Sequence, residues 1–130
     1  MNDINILQKF IHTKSGYNSM ICVKWSPTYC SVEKLVNKLS SHDNSHTVEA
    51  RTVTYEGLEM YCKRDSISNS SVIYKHANKV MWQIHNHVKR ISNVGITNGQ
   101  FYFKIDVNDN MNLVFAKSIK TDKKISVLDQ

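Results

Sequence analysis

The chain has 130 residues, 41% of them hydrophobic, with one Pro and four Gly. This composition predicts a single domain over residues 1–130 that buries roughly two-thirds of its unfolded surface. No stretch approaches the roughly 18 to 20 apolar residues of a membrane span, and the N-terminal residues lack a basic leader and a small-residue cleavage site. We therefore expect a soluble, intracellular protein without a membrane partner.

Charge and cysteine content narrow the possible classes of protein further. The formal net charge is +6, and residues 66–130 hold nine basic and four acidic side chains, so most of the excess lies in the C-terminal half. Such an excess attracts polyanions, although a solvated lysine-rich face has the same composition. Cys22, Cys30 and Cys62 have no C-x-x-C spacing, which argues against a disulfide framework and a cysteine zinc site.

The first third of the chain predicts two helices and a strand. Apolar residues recur at helical spacing in residues 3–12 and again in residues 31–42, so each segment is predicted as an amphipathic helix. Between them, residues 19–25 carry apolar side chains on both faces of an alternating pattern, which is typical of a central strand covered on two sides. Pro27 ends that strand.

The middle of the chain predicts a pair of strands. Residues 47–55 alternate and are rich in β-branched side chains, and residues 58–62 alternate again after a turn at Glu56 and Gly57. We expect a hairpin-like pair there, followed by a polar linker over residues 65–71.

The longest periodic segment predicts the main helix, over about residues 70–92. Ser70 or Ser71 is expected as its N-cap, and Asn93 with Gly95 ends it. The predicted core-facing stripe consists of Ile73, Ala77, Val80, Met81, Ile84, Val88 and Ile91.

A β-hairpin is predicted after the main helix. Residues 100–107 alternate between an apolar and a polar face, residues 108–110 supply a turn that tolerates positive φ, and residues 111–115 return along the partner strand. From about residue 120 we expect a frayed tail or a final edge element. The element order predicts an α+β domain with a four- to five-stranded, mainly antiparallel sheet, packed by the long helix and two shorter helices.

Trp82 is out of place on the main helix, because it lies about 180° from Ile73 on the helical wheel, among polar side chains. In one interpretation a second layer of the chain covers the indole, which is then a packing residue. In the other it is exposed between ammonium groups and serves as an anchor for a partner. The predicted partner-binding residues are Trp82, Lys75, Lys79, Asn86 and Lys89.

Neither a metal, a cofactor nor a catalytic residue is predicted. His42 and His46 lie in a polar loop without a third fixed ligand. The alternating Asp and Asn residues of 106–112 resemble the start of a calcium loop, but Met111 stands where glycine is needed and Lys117 where the closing Glu is needed. No phosphate-binding loop, serine-hydrolase or zinc-protease signature occurs in the sequence.

These observations favour a non-enzymatic binding module that recognises another protein, or a second copy of itself, through the Trp82 face and a sheet edge near the final hairpin. A nucleic-acid-binding protein is the first alternative, with Trp82 and Tyr102 offered for stacking. Its predicted contacts are Lys75, Lys79, Lys89, Arg90, Tyr102, Lys117, Lys120, Lys123 and Lys124. A small enzyme whose site is assembled from distant residues is the second alternative.

Overall fold

The computed structural model describes residues 8–53 and 61–122. Within these ranges the chain forms five strands and two helices. In chain order they are β1 (Tyr17–Ser26), β2 (Tyr29–Ser40), α1 (Val48–Arg51), β3 (Cys62–Ser66), α2 (Val72–Ser92), β4 (Ile96–Ile105) and β5 (Met111–Thr121). The result is a small α+β domain with one long helix, as predicted.

The five strands form one sheet in the order β3-β2-β1-β4-β5, and every neighbouring pair is antiparallel. The central position of β1 confirms the prediction from its two apolar faces. Ile21, Val23 and Trp25 enter the core on the side of the sheet that α2 covers, whereas Met20 and Cys22 enter a second core on the other side.

Helix α2 lies across the first of these two sides and begins and ends close to the predicted positions. The Ser71 hydroxyl accepts hydrogen bonds from the backbone N–H groups of Ile73 and Tyr74, at 3.1 and 3.4 Å, so Ser71 is the N-cap. At the other end Asn93 adopts the left-handed conformation with φ 57°, and its N–H donates to the carbonyl of Lys89.

The predicted helix over residues 31–42 is wrong, because this segment forms β2. Val32 packs into the core under α2, and Leu35 packs into the core on the opposite side of the sheet. In a strand, residues three apart point to opposite faces. Because both faces of β2 are covered, apolar residues at a spacing of three suit a strand as well as a helix.

The predicted strand over residues 47–55 is also wrong within the described part, where residues 48–51 form α1. The Thr47 hydroxyl accepts a hydrogen bond from the backbone N–H of Ala50 and caps this single turn. The buried Asn37 side chain donates to the carbonyls of Ala50 and Thr52, at 2.6 and 3.0 Å. The Asn37 side chain thus satisfies backbone carbonyls that a neighbouring strand would otherwise bind.

Two further segments differ from the predicted secondary structure. The strand predicted over residues 58–62 falls largely outside the described residues, and β3 instead runs from Cys62 to Ser66, into the predicted polar linker. Of the helix predicted over residues 3–12, residues 8–12 have no regular secondary structure and the rest lies outside the described part. The prediction of two shorter helices is therefore wrong, since only α1 accompanies α2 in the described ranges.

The final hairpin is confirmed. β4 and β5 pair along most of their length and are joined by a turn in which Asp109 has φ 63°. β4 begins at Ile96, earlier than predicted, and the described part of β5 extends to Thr121. The predicted tail beyond it, residues 123–130, lies outside the described residues.

Candidate functional site

The Trp82 indole lies at the border of the α2 interface with the sheet, and 38% of its surface is exposed. Its ring meets the ring of Trp25 edge-on, with centroids 5.2 Å apart and planes at 89°. A second edge-on contact joins it to His85 at 5.5 Å. Trp82 therefore combines the two sequence interpretations, because one edge packs against the protein and the remainder faces solvent.

The two rings that hold Trp82 are fixed by hydrogen bonds of their own. Trp25 is 2% exposed, and its Nε1–H donates to Oδ1 of Asn78 at 3.2 Å. The buried His85 accepts a hydrogen bond at Nδ1 from the backbone N–H of Ile96, which leaves the neutral ring with its proton on Nε2. We refer to Trp25, Trp82 and His85 as the aromatic cluster.

Sequence reasoning missed Trp25 and His85 as neighbours of Trp82. On the helical wheel the most buried positions of α2 are Ala77, Met81 and His85, so the buried face is turned toward Trp82 relative to the predicted stripe. His85 is the buried residue nearest to Trp82 on the wheel, and it was not part of the predicted stripe.

The remaining predicted partner-binding residues surround Trp82 on the solvent side of α2. Lys75, Lys79, Asn86 and Lys89 are all exposed, and the three lysines have no ion-pair partner among the described residues. α2 contains four basic residues and no acidic one. We call the surface formed by Trp82, Lys75, Lys79, Asn86 and Lys89 the Trp82 face.

The sheet edge predicted to assist binding is formed by β5, which has exposed apolar side chains at Leu113, Phe115 and Ile119. Ser118 has φ 55°, and the pairing with β4 shifts register at three places. The carbonyl of Val114 accepts a hydrogen bond from the Gln8 side chain at 3.4 Å. This edge is irregular and partly occupied, so it is a poor template for adding another strand.

The residues predicted to contact nucleic acid divide between the two sides of the sheet. Arg90 lies with the lysines of α2, where its guanidinium is 3.1 Å from Nδ1 of His87. Tyr102 and Lys117 lie on the opposite side, where the Tyr102 ring is only 6% exposed and belongs to the second core. Lys120 is exposed on β5, and Lys123 and Lys124 lie outside the described residues.

Two concave surfaces are lined in part by Lys24 and Gln100, and sequence reasoning missed both. The first, which we call the basin, has a volume of about 190 Å³. The second, which we call the end cleft, has a volume of about 440 Å³ and lies beside Trp25, where β1 ends. The basin is lined by Cys22, Lys24, Glu33, Leu35, Arg64, Gln100, Tyr102 and Lys117. The end cleft is lined by Lys24, Trp25, Ser26, Tyr29, Thr97, Asn98, Gly99, Gln100 and Ser118.

The cysteine thiols and the side chains able to bind a metal are the remaining groups with possible chemistry in the described ranges. Burial raises the pKa of the Cys22 and Cys30 thiols above the ordinary value, which disfavours the reactive thiolate. Within residues 8–53 and 61–122 no group of three or more His, Cys, Asp or Glu side chains converges on one point. His46 instead contacts Asp43 through Nδ1 at 3.2 Å.

Comparisons of this chain with protein-family models, with curated proteins and with solved structures found no match. Neither helix of the described residues is long and apolar enough to cross a membrane. A functional assignment therefore depends on the geometry of the Trp82 face, the basin and the end cleft.

Proposed function

We propose that this protein is a non-enzymatic binding module that holds an acidic segment of another protein against the Trp82 face. The observation that carries the proposal is a partly exposed indole, fixed by two neighbouring rings and surrounded by three lysines without ion-pair partners in the described residues. An apolar anchor with a polar rim is the common arrangement of an interface hot spot.

The aromatic cluster favours binding because it restricts the indole before a partner arrives. Trp82 has edge-on contacts to Trp25 and to His85, and both of those rings are hydrogen-bonded. Association costs less entropy when the side chain that enters the interface is already ordered. A tryptophan that presents a fixed edge therefore suits a small apolar pocket or side chain on the partner.

The charge of the Trp82 face selects the kind of partner. Lys75, Lys79 and Lys89 lie within about a turn or two of Trp82, and α2 has no carboxylate to neutralise them. Opposite charge on the partner accelerates encounter and sets orientation, whereas like charge costs free energy. The best fit is an acidic segment with an apolar side chain between its carboxylates.

The same charge argues against pairing of two copies through this face. A two-fold symmetric contact places the same surface patch on both subunits. The lysines of one Trp82 face would then meet those of the other, with no acidic residue on α2 to compensate them. We therefore favour a different protein over a homodimer.

Peptide binding to the full chain tests this proposal. A labelled peptide of Glu residues interrupted by Leu and Phe is titrated by fluorescence anisotropy, with a Lys-for-Glu peptide as the control ligand. We expect Trp82→Ala to weaken binding of the acidic peptide roughly tenfold or more, about 1.4 kcal/mol, and Lys75→Gln with Lys79→Gln to reduce its salt dependence. Lys38→Gln, an exposed lysine of β2, is the matched control.

Stability measurements separate recognition from packing. Because Trp82 is only partly covered, Trp82→Ala should cost about 1 kcal/mol of unfolding free energy, whereas Trp25→Ala should cost about 3–5 kcal/mol. Unchanged peptide affinity in Trp82→Ala, or a stability loss as large as that of Trp25→Ala, would contradict the proposal.

A further inference from the structure

The side of the sheet away from α2 is only partly covered by the described chain. At one end, Phe10 lies over the Lys104 ammonium at 4.4 Å. In the middle, Val53 packs with Met20, Leu35 and Tyr102 in the second core. Beyond these contacts the basin remains as a concave opening.

Basic side chains outnumber acidic ones among the described residues that line the basin. These residues include Lys24, Arg64 and Lys117 and one carboxylate, Glu33, which lies 3.4 Å from Arg64. Lys24 and Lys117 are both paired with Gln100 in the sheet register, one from β1 and one from β5. Because neighbouring strands are about 4.8 Å apart, the two lysines stand roughly 10 Å apart on either side of one carboxamide. A concave surface with excess positive charge concentrates anions.

Gln100 is oriented by the floor of the basin. The Tyr102 hydroxyl donates to Oε1 of Gln100 at 3.2 Å, and Tyr102 itself is buried in the second core. The acceptor of this carboxamide is therefore used, and its Nε2 donors have no partner in the part of the chain that the structure describes. An anion between Lys24 and Lys117 would find two ammonium groups and an amide donor.

The basin continues into the end cleft, since Lys24 and Gln100 line both. The end cleft adds hydroxyl and amide groups from Ser26, Thr97 and Asn98, and the ring of Tyr29 at its rim is 62% exposed. Gly99 keeps the wall close, because a Cβ there would approach the Phe101 ring to 2.8 Å. Aromatic and amide groups of this kind bind nucleobases by stacking and by hydrogen bonds.

We propose that the basin and the end cleft together bind a nucleotide unit, with its phosphate between Lys24 and Lys117 and its base in the end cleft against Tyr29. The unit is a free nucleotide or a nucleotide within a single strand, because both offer the same phosphate and base. The phosphate end of this site lies on the side of the sheet away from α2, whereas the end cleft is lined in part by Trp25, which contacts Trp82.

The test is a titration of the full chain with inorganic phosphate, AMP and a labelled single-stranded oligonucleotide at about 50 mM salt, where phosphate contacts are strongest. Lys24→Gln with Lys117→Gln is the basin variant. Lys38→Gln with Lys63→Gln removes the same charge at exposed positions outside both proposed sites and is the matched control. We expect the basin variant to lose roughly tenfold in affinity and the control to bind like the unmodified chain.

For the oligonucleotide, the slope of log affinity against log salt should fall by about 0.7 in the basin variant, since one single-strand phosphate contact is lost. AMP binding assigns the site to a free nucleotide, and binding of the oligonucleotide alone assigns it to a single strand.

Tyr29→Ala should weaken the binding of AMP and of the oligonucleotide without changing the affinity for inorganic phosphate. Melting curves confirm that the variants fold, and Arg64→Gln is the substitute should the basin variant unfold.

The proposal is overturned if the unmodified chain binds none of the three probes, or if AMP and the oligonucleotide bind no tighter than inorganic phosphate. Equal losses in the basin variant and the matched control overturn it as well. Lys24→Gln with Lys117→Gln should leave the affinity for the acidic peptide unchanged, so failure of the protein-binding proposal and failure of this one are distinguishable.

Discussion

Asp106 illustrates how one side chain fixes the connection between β4 and β5. Its Oδ1 accepts hydrogen bonds from the backbone N–H groups of Asn108 and Asn110, each at 2.9 Å, and its Oδ2 accepts one from the Asn112 amide at 3.1 Å. These bonds, with that from the Asn110 backbone the strongest, hold the pKa of the Asp106 carboxyl below its ordinary value of 3.8. The ionised form is thus the one that the turn stabilises.

This gives a prediction about pH. Because the pKa of Asp106 is lower in the folded than in the unfolded chain, its contribution is fully present above pH 3.8 and is lost as the pH falls through the folded value. Asp106→Asn should be less stable than the unmodified chain at neutral pH, and the difference should shrink below pH 3.8. Denaturant unfolding at several pH values measures it.

Asp109→Asn is the control for that experiment, because it removes the same charge from the same turn. Asp109 is exposed and forms an ion pair with Lys14 at 2.8 Å. Exposed pairs of this kind contribute little. A difference between the Asp106→Asn protein and the unmodified chain that persists well below pH 3.8 would contradict the assigned role of the ionised carboxyl.

At the residue scale, the sequence predicts local features and misses distant neighbours. The turn at residues 108–110 and the cap of α2 are encoded within a few positions, so both were predictable. The contact between Trp25 and Trp82 is not local, and neither is the pairing of Gln100 with Lys24 on one side and Lys117 on the other. Strand register brings these side chains together, and no short pattern reports it.

At the scale of elements, the N-terminus of α2 depends on a single capping side chain, that of Ser71. Ser71 accepts two of the otherwise unpaired N–H groups of the first turn, and the first turn contains no acidic residue that would add to this effect. We expect Ser71→Ala to cost about 1 kcal/mol of unfolding free energy. Urea unfolding followed by far-UV circular dichroism measures the loss.

Ser70→Ala is the matched control, because the sequence allowed either serine as the cap. The Ser70 hydroxyl lies 2.9 Å from that of Ser68 and contacts no N–H of the helix in the described chain. Its removal should change stability by no more than about 0.5 kcal/mol. Equal losses for the two variants would show that the cap assignment is incorrect.

Elements whose sequence pattern fits one period were predicted, and elements whose pattern fits two periods or that depend on a distant partner were not. α2 has a long one-sided apolar pattern, and the sequence of β4 alternates with a period of two. β2 is buried on both sides, so its apolar spacing fits two periods at once. α1 is a single turn anchored by the Asn37 side chain, and local propensity carries no information about that anchor.

At the scale of the whole molecule, the sheet separates two surfaces that the proposals assign to different ligands. The Trp82 face lies on α2, and the basin lies on the side of the sheet that α2 does not touch. The basin remained hidden at the level of sequence because its lysines and arginine come from three strands. Composition nevertheless indicated an attraction for anions, because the long-range attraction follows from the net charge and the net charge can be read from the sequence.

The separation of the two surfaces predicts that the acidic peptide and AMP can occupy the same molecule at the same time. The Trp82 face and the basin lie on opposite sides of the sheet, and exposed charges separated by more than the Debye length of about 8 Å at physiological salt are largely screened from each other. We expect saturating AMP to change the affinity for the acidic peptide by no more than about twofold at 0.15 M salt. Anisotropy of the labelled peptide, with and without AMP, measures the coupling.

The sign of the coupling at low salt follows from the charges. Both ligands are anionic, so each reduces the positive potential that attracts the other, and binding should become mutually weaker as screening falls. Because coupling free energies are reciprocal, the peptide must weaken AMP by the same factor. In the Lys24→Gln, Lys117→Gln chain this effect of AMP should vanish while the peptide still binds. Complete competition at 0.15 M salt would instead mean that both anions occupy one surface, and the division of the molecule by its sheet would have no functional meaning.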